Sequence, residues 1–387
     1  MVFDQFAGMS HAARLVREGK LGEATAALQA RLRGAGAAHA TPEQESAAAR
    51  IIDVDPATGE VLQPRTPAGP SALRGAGGFL YGLTGRGGAR GRPAVAPGAT
   101  PAPDGAQFAA RTYSGAQGSR GYKLYVPSAA ADAPLPLIVM LHGCTQSPDD
   151  FAAGTGMNRL GEEHGFLVAY PGQTPSANAH KCWNWFSPKD QRRDRGEPAL
   201  IAGITREVMA SHSVDPRRIY VAGLSAGGAA AAIMGSAYPD LYAAVGVHSG
   251  LPCGAARDVP SALAAMRDGG AVPPVSGRDR NRIMPTIVFH ADKDSTVHPR
   301  NGDHIIAQSG DGAGLRASVT RGQVPGGRAF TRSVYADADG RAMLEHWLVH
   351  GGGHAWSGGS ASGSYTDPDG PHASREMVRF FMEHRLG

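Results

Sequence analysis

The stretch Ile219-Tyr220-Val221-Ala222-Gly223-Leu224-Ser225-Ala226-Gly227-Gly228 decides the fold of this chain. Its four leading apolar residues predict a strand, and the alanine-rich run over 226–238 predicts a helix. A G-x-S-x-G pattern joins the two, and its glycines let neighbouring backbone pass close by. Such a turn would hold Ser225 in a strained conformation with its hydroxyl exposed. The alternative is a serine that only caps the helix, but a strand running straight into the turn favours a nucleophile.

Strands alternate with helices on both sides of this turn. The run Leu137–Leu141 is apolar without interruption, which is typical of a strand buried on both faces. The other predicted strands are 108–113, 122–126, 166–170, 243–247, 286–290 and 343–349, and the other predicted helices are 157–164, 198–212 and 372–385. This alternation predicts an α/β fold with a mostly parallel, doubly wound sheet.

Composition divides the chain into three segments. Residues 1–65 predict a short N-terminal helical hairpin, because apolar residues recur at helical spacing through their second helix. Residues 66–105 hold 11 Gly and 6 Pro, which is typical of a flexible linker. Residues 106–387 carry the regular pattern of strands and helices. Since one hairpin cannot bury its own apolar face, we expect it to dock on the rest of the chain or on a partner.

Charge and composition exclude several functional classes. The net charge is +4, from 38 basic and 34 acidic residues without a dense basic cluster, so we expect no nucleic-acid partner. Apolar runs stay well short of the roughly 18 residues that a membrane span needs. The start lacks the pattern of a secretory signal, which favours a cytoplasmic location. The three cysteines and the histidines at 290, 298 and 304 lack zinc-ligand spacing, so we expect neither a metal nor a cofactor.

A nucleophilic serine needs a histidine base and an acidic residue that orients it. Asp292 and Asp294 follow the predicted strand 286–290, and His350 and His354 follow the strand 343–349. Asp294 is preferred because the pattern D-x-x-V places a valine behind it. His354 is preferred because three glycines precede it, whereas His350 lies at the end of its strand. Asp292 and His350 remain the alternatives.

Four motifs carry a resemblance to a known family. They read Leu-His-Gly-Cys-Thr-Gln at 141–146, Cys-Trp-Asn-Trp-Phe at 182–186, Gly-Leu-Ser-Ala-Gly-Gly at 223–228 and Gly-Gly-Gly-His-Ala-Trp at 351–356. In this order and spacing they resemble the poly(3-hydroxybutyrate) depolymerase-type esterases, which are similar to feruloyl and acetylxylan esterases. The resemblance covers roughly residues 106–387.

That resemblance implies an α/β-hydrolase fold and a serine esterase that works through an acyl-enzyme. The implied substrates are carboxylic esters such as 3-hydroxybutyrate oligomers or polyester. A feruloyl or acetylxylan-type carbohydrate esterase is the alternative, and a non-catalytic binding module is a third interpretation. Many relatives are secreted, so secretion is the alternative to a cytoplasmic location.

The resemblance also assigns the site residues. Ser225, Asp294 and His354 form the implied catalytic triad. The backbone N–H groups of Cys144 and Ala226 form the implied oxyanion hole, the pair of donors that stabilises the negative oxygen of the tetrahedral intermediate.

Two further expectations follow from the motifs. Trp183 and Trp185 are predicted to bind substrate, with Trp356 as a weaker candidate; the alternative is that these rings pack inward. Cys144 and Cys182 belong to motifs at the active site, so a disulfide between them is a hypothesis that leaves Cys253 as the free thiol.

Overall fold

The computed structural model describes residues 103–128, 133–270, 283–310 and 314–387. The predicted helical segment at 1–65 and nearly all of the predicted linker at 66–105 lie outside the described residues. Within these ranges, none of the helices combines the length and the apolar character that a membrane crossing requires.

A ten-stranded sheet forms the centre of the described part, with the strand order β1-β2-β4-β3-β5-β6-β7-β10-β9-β8. The six central strands, from β4 to β10, are parallel, and antiparallel strands extend the sheet at both ends. The strands are Gln107–Gly115 (β1), Gly118–Val126 (β2), Leu135–Leu141 (β3), Leu167–Pro171 (β4), Val214–Leu224 (β5), Ala244–His248 (β6), Thr286–Ala291 (β7), Arg316–Gln323 (β8), Ala329–Ala336 (β9) and Ala342–Val349 (β10). A separate parallel pair joins Trp356–Ser357 (β11) to Thr366–Asp367 (β12).

Helices cover both faces of the sheet. They are Pro148–Thr155 (α1), Met157–His164 (α2), Gly196–Ser211 (α3), Ala226–Ala237 (α4), Val259–Asp268 (α5), Arg300–Gly310 (α6) and Ala373–Met382 (α7), and Pro188–Gln191 forms a 3₁₀ turn. One core contains side chains of α3, α4, α5 and α6, and the other contains side chains of α1, α2 and α7. Strand β3 feeds both, because Val139 faces the first core and Ile138 the second, as the alternation of a strand requires.

This architecture is an α/β-hydrolase fold and confirms the predicted fold class. Each strand and helix predicted between residues 106 and 387 is present, with ends that differ by a few residues. The structure adds helices α1, α5 and α6 and the hairpin β8–β9. Strand β8 is exposed along nearly its whole length, so it lacks the apolar pattern that marks a buried strand.

Candidate active site

The turn between β5 and α4 holds Ser225 in a strained backbone conformation. Its φ of 57° and ψ of −119° lie outside the regions that L-residues favour. The flanking glycines make this turn possible: a Cβ on Gly223 would collide with the backbone of Gly227, and one on Gly227 would collide with the carbonyl of Leu141. The G-x-S-x-G pattern therefore reflects close backbone approach on both sides of the serine, as the sequence predicts.

Asp294 and His354 form a hydrogen-bonded pair on the next loops of the same sheet edge. Asp294 follows β7, His354 follows β10, and the two strands are adjacent and parallel. The Nδ1 atom of His354 lies 2.7 Å from Oδ2 of Asp294. The other carboxylate oxygen, Oδ1, accepts the N–H groups of Thr296 and Val297, each at 2.9 Å. Asp294 is thus fixed from its own loop and presents its second oxygen to the histidine.

The rival residues of the sequence analysis pair with each other. Nδ1 of His350 lies 3.1 Å from Oδ2 of Asp292, and the N–H of Gly351 donates to the other oxygen of Asp292 at 2.7 Å. His350 also contacts the hydroxyl of Thr331 at 2.9 Å. This second pair links the β7 loop to the end of β10, and neither member is hydrogen-bonded to Asp294 or His354.

A third histidine, His290, contacts Asp294 from the buried side. It is fully buried, its Nε2 donates to the carbonyl of Val297 at 2.8 Å, and the same nitrogen lies 3.5 Å from Oδ2 of Asp294. Burial alone would raise the pKa of Asp294, yet hydrogen bonds from His290 and His354 hold that pKa well below its usual range. Asp294 is therefore a carboxylate at neutral pH, as an orienting group must be.

Ser225, Asp294 and His354 lie at the carboxyl ends of neighbouring parallel strands. Strand β6 separates β5 from β7, and its last residue, His248, accepts the N–H of Ser225 at 2.9 Å. Nε2 of His248 accepts the N–H of Ser357, three residues beyond His354, at 2.9 Å. His248 thus connects the serine turn to the histidine loop. The sequence analysis did not single it out, although its place at the end of a buried strand was a signal for it.

The loop after β3 approaches the serine from the other side. A Cβ on Gly143 would lie 3.6 Å from the Cβ of Ser225, so the backbone that leads into Cys144 passes beside the nucleophile. The N–H of Gly143 donates to Oε1 of Gln146 at 2.9 Å, which holds the loop in place. Ala226 is the first residue of α4, where backbone N–H groups lack partners inside the helix. Both predicted oxyanion donors therefore belong to backbone that flanks Ser225.

A disulfide joins Cys144 to Cys182, as the sequence hypothesis proposed, and Cys253 is a free thiol. The bond connects the loop beside Ser225 to the loop that carries the Cys-Trp-Asn-Trp-Phe motif. The N–H of Thr145 donates to the carbonyl of His180 at 2.7 Å and adds a second link between the same loops. The backbone next to the nucleophile is thus held covalently and by hydrogen bonds.

The three tryptophans that the sequence predicts to bind substrate are buried. Trp183 and Trp356 are at most 1% exposed and Trp185 is 6% exposed. The indole N–H of Trp183 donates to the carbonyl of His142 at 3.1 Å, and that of Trp356 donates to Oγ of Ser374 at 3.0 Å. The rings pack inward, as the alternative interpretation held, because they fill the core beneath the catalytic edge.

Comparison with known proteins agrees with this geometry. The family model described as Esterase PHB depolymerase matches residues 120–323, which is just over half of the chain. The chain belongs to this esterase family. Among curated relatives, poly(3-hydroxyalkanoate) depolymerase C of Paucimonas lemoignei is 35% identical over 239 residues, covering 59% of this chain and 57% of that protein. Feruloyl esterase B of Neurospora crassa is 28% identical over 249 residues, covering 59% of this chain and 81% of that protein.

The match covers only part of the depolymerase relatives, and a solved structure shares the fold. The chain spans little more than half the length of the two depolymerase relatives, 57% of the P. lemoignei protein and 53% of the poly(3-hydroxybutyrate) depolymerase of Ralstonia pickettii. The solved acetyl xylan esterase of Aspergillus awamori superposes with a TM-score of 0.57 at 19% identity, covering 72% of this chain and 99% of that one. That likeness concerns the fold alone.

Proposed function

We propose that this chain is a serine esterase that hydrolyses carboxylic esters through an acyl-enzyme. The observation that carries the proposal is the 2.7 Å hydrogen bond between Asp294 and His354, on the same sheet edge as a serine in a strained strand-to-helix turn. A serine in such a turn, followed along the chain by an orienting carboxylate and then by a histidine, supplies the parts that acyl transfer requires.

Each residue has a defined task in the proposed mechanism. His354 removes the proton from the Ser225 hydroxyl as its oxygen attacks the ester carbonyl. Asp294 holds the imidazole with the Nδ1 proton directed at its carboxylate and stabilises the imidazolium that forms. The N–H groups of Cys144 and Ala226 stabilise the oxyanion, and His354 then gives its proton to the departing alcohol. Water, activated by the same histidine, hydrolyses the acyl-serine and restores the enzyme.

The proposed substrates are hydroxyalkanoate esters, in particular 3-hydroxybutyrate oligomers. The names of the depolymerase relatives support this class, at identities of 35% and 26%. The second candidate is a carbohydrate esterase, which the feruloyl esterase B and acetylxylan esterase A relatives support at 28% and 27% identity. The buried tryptophans favour neither, because they offer no ring face to an aromatic acid or an apolar chain.

The compartment is proposed from the disulfide. Disulfides persist in oxidising surroundings and are rare where thiols are kept reduced. The bond between Cys144 and Cys182 therefore supports secretion over a cytoplasmic location. Free-thiol counts on protein taken directly from its native host test this point: one thiol agrees with secretion, and three agree with the cytoplasm.

A product profile tests the proposed function. The purified chain is given 3-hydroxybutyrate trimer, methyl ferulate and acetylated xylan separately, with Ser225→Ala as the matched control. The proposal expects release of hydroxybutyrate monomer and dimer at the highest kcat/KM. Preference for the ferulate or the xylan would select the second candidate, and turnover by the serine variant would exclude the mechanism.

A further inference from the structure

Strained backbone is concentrated around the nucleophile. Six described residues other than glycine have positive φ, and five of them lie on loops at the catalytic edge of the sheet: Thr145, Lys181, Ser225, Ser249 and Tyr365. Such conformations are energetically costly and persist where the surrounding structure holds them, often at functional sites. Ser225 is the nucleophile of the proposed mechanism, whereas that mechanism gives no role to Tyr365.

Tyr365 spans the gap between the histidine loop and the loop beside the serine. Its carbonyl accepts the N–H of Trp356, two residues beyond His354, at 2.7 Å. At its other end, its hydroxyl lies 3.4 Å from Oγ1 of Thr145, the residue that follows the proposed oxyanion donor Cys144. Tyr365 therefore bridges the loop that carries His354 and the loop that carries Cys144, which places it at the rim of the site.

The ring is accessible, unlike the tryptophans. Four large apolar or aromatic side chains are exposed in the described part of the chain, and Tyr365 is the aromatic one, at 48%. The tryptophans predicted from the sequence are at most 6% exposed. Tyr365 thus offers the aromatic face that the sequence analysis had sought in the Cys-Trp-Asn-Trp-Phe motif.

The backbone before Tyr365 is fixed rather than free to move away. Ser364 donates its N–H and its hydroxyl to the carboxylate of Asp150, at 2.9 and 2.6 Å. Nε2 of Gln146 donates to the carbonyl of Ser364 at 3.1 Å, while its Oε1 accepts the N–H of Gly143. One glutamine therefore positions both the tyrosine loop and the backbone beside Ser225, so the ring and the oxyanion donor keep a set spacing.

We infer that Tyr365 determines specificity by packing its ring against the unit of an oligoester that adjoins the ester being cleaved. This inference rests on the proposed function. A half-exposed aromatic face at the rim gains free energy by covering an apolar segment, here the methyl-bearing unit of a hydroxybutyrate chain. A small ester such as p-nitrophenyl acetate ends before it reaches the rim and gains less from the contact.

The test compares two substrates and three proteins. Wild type, Tyr365→Ala and Tyr365→Phe are assayed on 3-hydroxybutyrate trimer and on p-nitrophenyl acetate. Tyr365→Ala should lower kcat/KM about tenfold more for the trimer than for the acetate, mainly through KM, since losing one aromatic contact of about 1.4 kcal/mol is a factor of ten. Tyr365→Phe keeps the ring and should keep the wild-type preference for the trimer. Thermal unfolding of each variant reports whether the strained loop has survived.

Each outcome decides one claim. An equal loss on both substrates, or no loss on either, overturns the role of Tyr365 while leaving the esterase mechanism intact. A wild-type protein that cleaves the acetate but not the trimer overturns the oligoester as the occupant of the rim. A wild-type protein that cleaves neither overturns the proposed function itself. Loss of the trimer preference in Tyr365→Phe would transfer the role from the ring to the hydroxyl.

Discussion

Asp292 and His350 form a hydrogen-bonded pair, with Oδ2 and Nδ1 3.1 Å apart, two residues before Asp294 and four before His354. The chain thus carries two Asp–His pairs between the same two strand ends. The pair formed by Asp294 and His354 is the less exposed of the two, with side chains 0% and 11% exposed against 31% and 37%. Burial strengthens a charge-assisted hydrogen bond, so the inner pair is the one suited to catalysis.

Replacement of the two aspartates distinguishes these pairs. Asp294→Ala should lower kcat for p-nitrophenyl butyrate by roughly 10³- to 10⁴-fold, because the imidazole loses its orienting partner. The matched variant Asp292→Ala removes the outer pair and should retain most of the activity. Steady-state kinetics on both proteins, with circular dichroism as a check on folding, provides the measurement. A dead Asp292→Ala beside an active Asp294→Ala would reverse the assignment.

His290 should act as a positioning residue for Asp294. Its Nε2 contacts both the carbonyl of Val297 and the carboxylate of Asp294, so His290→Phe removes a hydrogen bond that keeps the pKa of Asp294 low. We expect kcat to fall about tenfold with KM little changed, since one buried charge-assisted hydrogen bond contributes on the order of 1.5 kcal/mol.

Two comparisons separate this role from a general structural one. His290→Gln restores a donor and should recover part of kcat, and His350→Phe, which alters the outer pair, should not reproduce the loss. An equal loss in His350→Phe, or no recovery in His290→Gln, would leave His290 a core residue only.

Sequence patterns predicted the parallel part of the sheet because buried strands carry uninterrupted apolar runs, as Leu137–Leu141 does. They did not predict β8, whose residues are exposed and polar, so hydrogen bonding to β9 rather than burial defines it. The sequence favoured Asp294 over Asp292 because of its spacing to a valine. In the structure Asp294 pairs with His354, and Asp292 pairs with His350. The sequence left open whether the three tryptophans are buried, because an aromatic residue in a loop can fill the core or face solvent, and composition alone does not distinguish the two.

The disulfide should stabilise the protein and the oxyanion loop together. Cys144 and Cys182 close a loop with a sequence separation of 38 residues, so Cys182→Ser should lower the free energy of unfolding by roughly 3–4 kcal/mol. Activity should fall as well, because Cys144 carries a proposed oxyanion donor. Urea titrations measure the first effect, and thiol titration of the denatured wild type should find one free thiol, from Cys253. Three free thiols would refute the bond, and Cys253→Ser serves as the control.

Acid should destabilise the fold through two buried histidines. Burial lowers the pKa of His142 to about 4 and that of His248 to about 3. Nε2 of each accepts a backbone N–H, from Gln173 and Ser357, so each histidine is neutral in the folded protein. The unfolded chain binds these protons near pH 6.5. Stability is therefore fully present above that pH and is lost as the pH falls from about 6.5 towards the folded values.

Urea unfolding at pH 7 and pH 5 measures this loss. His142 and His248 alone predict a decrease of roughly 4 kcal/mol between these values, because each contributes about 1.36 kcal/mol per pH unit below 6.5. His142→Gln should reduce the decrease, whereas His164→Gln, at an exposed position, should leave it unchanged. Equal stability at the two pH values would contradict the prediction.

The most direct test of the proposed mechanism is to trap the acyl-enzyme. The protein is mixed with p-nitrophenyl butyrate, quenched in acid within the first turnovers, digested and analysed by mass spectrometry. The acyl-enzyme mechanism predicts a butyryl group on the peptide that contains Ser225, formed in step with a burst of p-nitrophenol, and neither adduct nor burst in Ser225→Ala. A butyryl group on another residue, or a Ser225→Ala protein that still turns over the ester at the wild-type rate, would contradict it.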